Sequence, residues 1–125
     1  MIHLDTSFLI RSLLRESDES RRLESWLRRG EVVRISALAW AEFLCGPIRA
    51  PDANDAAELL GEPVPVTGLD ATIGARLFNL SARRRGSLPD CLIAATAMNA
   101  GATLATSDVA HFRRFETLGL SVLDM

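Results

Sequence analysis

The chain has 125 residues, 48% hydrophobic and 24% charged, which suits one globular domain over residues 1–125 and excludes both a disordered chain and a disulfide scaffold. Its net charge of −2 excludes a broadly basic nucleic-acid coat, yet leaves room for an enzyme that grips a short stretch of phosphate with a local patch. Two cysteines, Cys45 and Cys91, fit no zinc spacing and read as reduced thiols, small core fillers of a cytoplasmic protein.

In chain order, Ile2-His3-Leu4 reads as a short strand that ends at Asp5. Thr6 or Ser7 caps a helix running to about Glu16, and Ser17-Asp18 restarts a second with the apolar stripe Leu23, Trp26 and Leu27, closed at Gly30. Residues 32–35 form the second strand. Ser36 then caps a helix through Cys45, stopped by Gly46-Pro47. Asp52 is expected to cap a short helix within residues 51–61, and Pro63-Val64-Pro65-Val66, with two prolines, allows only an edge strand. Asp70 is expected to cap a long helix ending at Arg83-Arg84-Arg85-Gly86. Pro89 opens a helix that runs to Asn99 and closes at Gly101. A strand at residues 103–105, a brief helix capped by Asp108 and a closing segment at residues 120–123 complete the chain. Short strands alternating with helices predict an α/β fold, a parallel sheet covered on both faces. Neither a secretory leader nor a membrane span is expected, because no cationic segment with an apolar run follows Met1 and Thr96, Asn99 and Gly101 interrupt the most apolar stretch.

Four acids stand where solvated acids do not belong. Asp5 closes the first strand, and ligands of an open parallel sheet bind at the carboxyl ends of its strands. Glu42 falls on the stripe Leu38, Glu42, Cys45, so it is expected to face inward, where a carboxylate needs a partner. Asp90 opens a helix whose Ile93, Ala94 and Ala97 continue its face, and Asp108 follows a strand by three residues. Plain structural roles compete with chemistry at three of them. Asp5 can bond the next helix's amides, Ser87-x-x-Asp90 is a capping box, and Asp108 is a helix cap. Taken as a set, acids that converge on one cleft repel one another, and a hard divalent cation relieves them. Oxygen-only donors point to Mg²⁺, with Mn²⁺ as the alternative, rather than zinc. Such a cation suits phosphodiester hydrolysis.

The residues around these acids also carry a family resemblance. Ile2-His3-Leu4-Asp5-Thr6-Ser7, then Ser36-Ala37-Leu38-Ala39-Trp40-Ala41-Glu42, then Leu88-Pro89-Asp90-Cys91-Leu92-Ile93, then Leu104-Ala105-Thr106-Ser107-Asp108-Val109-Ala110-His111-Phe112 follow in order. Over essentially its whole length the chain resembles a PIN-domain ribonuclease, and within that family a VapC-type toxin of a bacterial toxin–antitoxin pair. The resemblance implies a three-layer α/β/α sandwich with a short central parallel sheet and Mg²⁺-dependent endonucleolytic cleavage of RNA. By position it implies Asp5 and Asp90 as the principal metal ligands. Glu42 completes the acidic cluster, and Asp108 falls where the family has Asp or Asn. Thr106 is implied beside the metal site, holding a water or the phosphate. His111 falls where the family has Asp or His before Phe and reads as structural, while His3 reads as a packed strand residue. Arg83, Arg84 and Arg85 read either as a phosphate patch beside Asp90 or as a solvated helix end.

Two aspartate-based alternatives fail on residues. A phosphatase needs a second Asp where Ser7 stands, and a response-regulator receiver needs a Lys, of which the chain has none. A PIN scaffold that only binds RNA or a protein partner is the remaining alternative. Trp26, Trp40 and five Phe offer more apolar surface than one small core needs, so a homodimer and a groove for the cognate antitoxin are expected.

Overall fold

A computed structural model describes residues 1–81 and 87–123. Four short strands, β1 (Ile2–Leu4), β2 (Val33–Ile35), β3 (Thr103–Ala105) and β4 (Ser121–Val122), pair in the order β2-β1-β3-β4, every pair parallel. Around them lie α1 (Thr6–Ser12), α2 (Asp18–Arg28), α3 (Ala37–Cys45), α4 (Ala50–Leu60), α5 (Gly68–Leu80), α6 (Leu88–Asn99) and α7 (Val109–Arg113). All three residues of β1 are buried, so helices cover the sheet on both faces, as an α/β fold requires. Among the described residues, no helix is long and apolar enough to cross a membrane.

The core grows outward from β1. Leu4 is fully buried with Phe8, which stacks on Trp26 at 5.3 Å between ring centroids and so ties α1 to α2. Helix α6 is buried nearly all round, through Cys91 and residues 93–97, and its alanines let neighbours come close. Helix α5 meets it at Gly74, where a Cβ would stand 2.7 Å from Leu92 Cδ2, closer than side-chain carbons approach.

Several boundaries differ from expectation, each for a local reason. Helix α1 stops at Ser12 instead of about Glu16, because Glu16 takes a left-handed φ of 62° and the Ser17 hydroxyl donates back to the Arg11 carbonyl at 2.8 Å. Arg49, not Asp52, is the N-cap of α4, and Pro51 lies in its first turn, where its missing N–H costs nothing. Thr67, not Asp70, caps α5. The two form a reciprocal capping box in which Thr67 Oγ1 accepts from the Asp70 amide at 3.1 Å and Asp70 Oδ2 accepts from the Thr67 amide at 3.0 Å. The proline-rich segment makes only an isolated bridge, Val64 to Ser36, in place of an edge strand. On α3 the buried face is Ala39 and Phe43, which leaves Leu38 and Glu42 half-buried and Cys45 exposed. Cys91 is the core filler expected; Cys45 is not. Arg83, Arg84 and Arg85, offered as a phosphate patch, lie outside the described residues.

Candidate active site: four carboxylates on one cleft

The parallel register brings the site together. Leu4 pairs with both Ile35 and Ala105, so β1, β2 and β3 end at one level and release Asp5, Ser36 and Thr106 on the same edge of the sheet. The Asp5 amide still donates to the Ala105 carbonyl at 2.9 Å, which fixes the first of these. Ser36 caps α3 through the Ala39 amide at 3.1 Å and so aims that helix, with Glu42 two turns along it. Asp90 stands in the first turn of α6, and Asp108 precedes α7. All four acids line one open cleft of about 320 Å³, with Thr6, Ser7 and His111 as its other polar walls. Ile10 and Phe112 supply the apolar part.

Asp5 is the most deeply set, 5% exposed. Its Oδ2 accepts from Ser7 Oγ at 2.8 Å and from Thr106 Oγ1 at 2.9 Å. Both hydroxyls are themselves occupied as acceptors. The Ser107 amide donates to Ser7 Oγ at 3.2 Å and the Asp108 amide to Thr106 Oγ1 at 3.0 Å, and the two hydroxyl oxygens stand 3.3 Å apart, so both are held against the same oxygen of Asp5. Burial pushes the Asp5 carboxyl above its ordinary pKa; the two hydroxyls and the Thr6 amide oppose that, and the charge of Asp90 adds to it. Glu42 accepts from Thr6 Oγ1 at 3.0 Å. Its pKa is also raised, by burial first, against the Thr6 bond and with the charges of Asp90 and Asp5. These two acids therefore sense Asp90 across the cleft.

The plain structural reading holds in part for Asp5, which takes the Thr6 amide at the start of α1 as well as two hydroxyls. Asp108 sits at an N-cap position without making a side-chain capping bond, and no Ser87–Asp90 box forms. Asp90 Oδ2 is instead 2.7 Å from His111 Nε2. His111, expected to be structural, is a wall of the cleft. Thr106, expected beside the metal site holding a water or the phosphate, is fully buried next to Asp5 and donates its hydroxyl to that carboxylate. Thr6 and Ser7, which capping alone could explain, spend their hydroxyls on Glu42 and Asp5. His3 is the packed strand residue expected. It is 1% exposed, and neither ring nitrogen has a hydrogen-bond partner among the described residues.

Among the described residues, no three His, Cys, Asp or Glu side chains stand close enough to enclose a metal ion by themselves. The donor set nonetheless fits one kind of cation. Mg²⁺ keeps several waters and takes one or two carboxylates rather than a full protein cage. A second, more apolar groove of about 200 Å³ runs between α1, α2 and α4, lined by Leu9, Leu13, Leu23 and Leu59 with Asp52 and Asp55 beside them.

A family model, the PIN domain, matches residues 2–118. No curated protein matches the chain. Among solved structures the chain is similar to VapBC2 from Rickettsia felis bound to a DNA fragment from their promoter, with a TM-score of 0.75 and 21% identity over 99% of this chain and 100% of that one. It is similar to FitAcB from Neisseria gonorrhoeae, with a TM-score of 0.71 and 25% identity over 99% and 97% of the two chains. A toxin–antitoxin complex from Klebsiella pneumoniae gives a TM-score of 0.72 and 22% identity over 90% of each chain.

Proposed function

The chain belongs to the PIN-domain family, and from that premise we propose that it is a Mg²⁺-dependent endoribonuclease, the toxin of a bacterial toxin–antitoxin pair acting in the cytoplasm. One observation carries this reading: Asp5, Glu42, Asp90 and Asp108, drawn from four separate parts of the chain, line a single cleft at the carboxyl edge of the sheet. Among the described residues no Arg lines that cleft, and Arg114 approaches only Asp90, from behind His111.

Asp5 and Asp90 are the residues to hold the cation, with Asp108 beside them. When bound, Mg²⁺ (or Mn²⁺) supplies polarisation of a phosphoryl oxygen and a water acidic enough to attack at neutral pH. Glu42, with one oxygen engaged by Thr6 and its proton affinity raised by burial, is suited to accept a proton from the attacking water. Ser7 and Thr106 keep the Asp5 carboxylate in one orientation throughout. Phosphates flanking the scissile bond fall to Arg83, Arg84 and Arg85, just ahead of Asp90 in sequence.

The partner is a cognate antitoxin. The likeness to a toxin–antitoxin complex supports it, as does the groove between α1, α2 and α4, whose leucines and two aspartates suit an amphipathic segment bearing a basic residue. Exposed Leu69, Leu80 and Leu88, at the two ends of α5 and the start of α6, support a homodimer.

The test is cleavage of RNA by the purified protein with Mg²⁺, with excess EDTA, and in a folded Asp5→Asn variant. Cleavage by the wild type with Mg²⁺ alone is expected. Undiminished cleavage in EDTA, or by the variant, overturns the reading. RNA binding without any cleavage favours the non-catalytic scaffold.

A further inference from the structure

Each acid but Asp108 is held by a named donor, and Asp90 differs from the others in which donor it has. Asp5 and Glu42 take hydroxyls from the chain segment that directly follows β1 or β3. Asp90 is on α6, and among the described residues its partner is an imidazole reaching across from α7. A carboxylate oxygen only accepts, so His111 Nε2 carries the proton and donates it to Asp90 Oδ2. Arg114 Nη2, 3.4 Å from the same nitrogen, therefore finds no lone pair there and stands beside the pair as a charge, its guanidinium 4.4 Å over the Phe115 ring. The imidazole is fixed from a second side by an edge contact with Phe112, 5.2 Å between centroids. Phe112 and Phe115 are both buried, which anchors α7 and with it the ring.

We infer that His111 is a positioning residue for the cation-dependent reaction: by clamping Oδ2 it sets the rotamer of Asp90 and leaves the other carboxylate oxygen for the cation. This rests on the nuclease reading above and adds to it a residue outside the acid set. Partners that orient a ligating carboxylate typically account for a 10–100-fold change in metal affinity. His111→Phe keeps an aromatic ring against Phe112 but removes the N–H. His111→Gln keeps a donor.

The experiment is Mn²⁺ binding by electron paramagnetic resonance on the folded proteins, alongside RNA cleavage as a function of Mg²⁺. The phenylalanine variant is expected to bind Mn²⁺ about 10–100-fold more weakly and to recover cleavage at raised Mg²⁺ with unchanged RNA binding. The glutamine variant is expected to stay close to wild type. If His111→Phe binds Mn²⁺ as well as wild type, the positioning role is overturned while the nuclease reading stands. If the wild type binds no Mn²⁺ at all, the nuclease reading itself fails. Should the phenylalanine variant not fold, His111→Leu against His111→Gln makes the same comparison.

Discussion

His3 and Asp5 lie two residues apart at the centre of the molecule, 1% and 5% exposed, and the fold treats them in opposite ways. Asp5 stands at the sheet edge and receives two hydroxyl protons and the influence of a nearby amide. His3 is inside the strand, flanked by Arg34 of β2 and Leu104 of β3, and its nitrogens bond nothing among the described residues. Burial, then Arg34 and the amino terminus, lower its pKa to about 4, with the charge of Asp70 opposing. Burial alone therefore does not mark a working group. A polar residue that the surrounding chain equips with donors is kept for its charge, and one left without them is kept as a neutral ring that fills space.

The comparison can be tested in order of expected effect. The largest is on turnover. Asp5→Asn should lower RNA cleavage by more than the ~100-fold that loss of an outer partner typically costs, whereas His3→Leu should leave cleavage near wild type; initial rates at saturating Mg²⁺ measure both. The next is on pH. His3 has a folded pKa of about 4 against an ordinary 6.5, so the unfolded chain takes up the proton first. Stability is then complete above pH 6.5 and falls as pH drops from 6.5 towards 4, by about 3 kcal/mol in all. Asp5 works the other way. Its raised pKa means the folded state binds protons more readily, so its contribution grows as pH falls through that raised value and is lost as pH rises. Chemical denaturation across pH 4–7 should thus show His3→Leu flattening the acid-side loss and Asp5→Asn steepening it. At neutral pH Asp5→Asn should be as stable as wild type or more so. Identical pH profiles in both variants would erase the distinction.

Smaller effects probe the donors themselves. Thr106→Val removes one donor from Asp5 and leaves the Asp108 amide without an acceptor, which should cost about 1–3 kcal/mol in a urea melt. Asp108→Asn should change stability by no more than about 0.5 kcal/mol, because the Asp108 side chain makes no capping bond. A larger loss would mean that this carboxylate supports α7 after all.

The sequence made the parallel α/β plan and the placing of the acids legible because both follow from short-range rules: apolar runs bounded by caps, and acids at strand ends. Its errors cluster where two capping residues compete within a few positions. Asp70 is a strong cap by type, but Thr67 three residues earlier makes a reciprocal box with it, and only the chain's entry into the helix decides between them. Cys45 shows the limit of helical spacing. Ala39 and Phe43 define the buried face of α3, and a stripe one position over reads almost equally well. His111 was hidden because its partner is 21 residues away on another helix, a contact that no local pattern reports.

The two hydroxyls on Asp5 have a mechanical consequence. The amides of Ser107 and Asp108 grip Ser7 and Thr106, which in turn grip a single oxygen of Asp5. The loop after β3 is thereby geared to the end of β1 through two parallel links, each only two hydrogen bonds long. The backbone at Asp108 is joined to the Asp5 carboxylate through Thr106 alone, so a substitution in this loop that displaces Thr106 reaches Asp5 without altering any residue that lines the cleft.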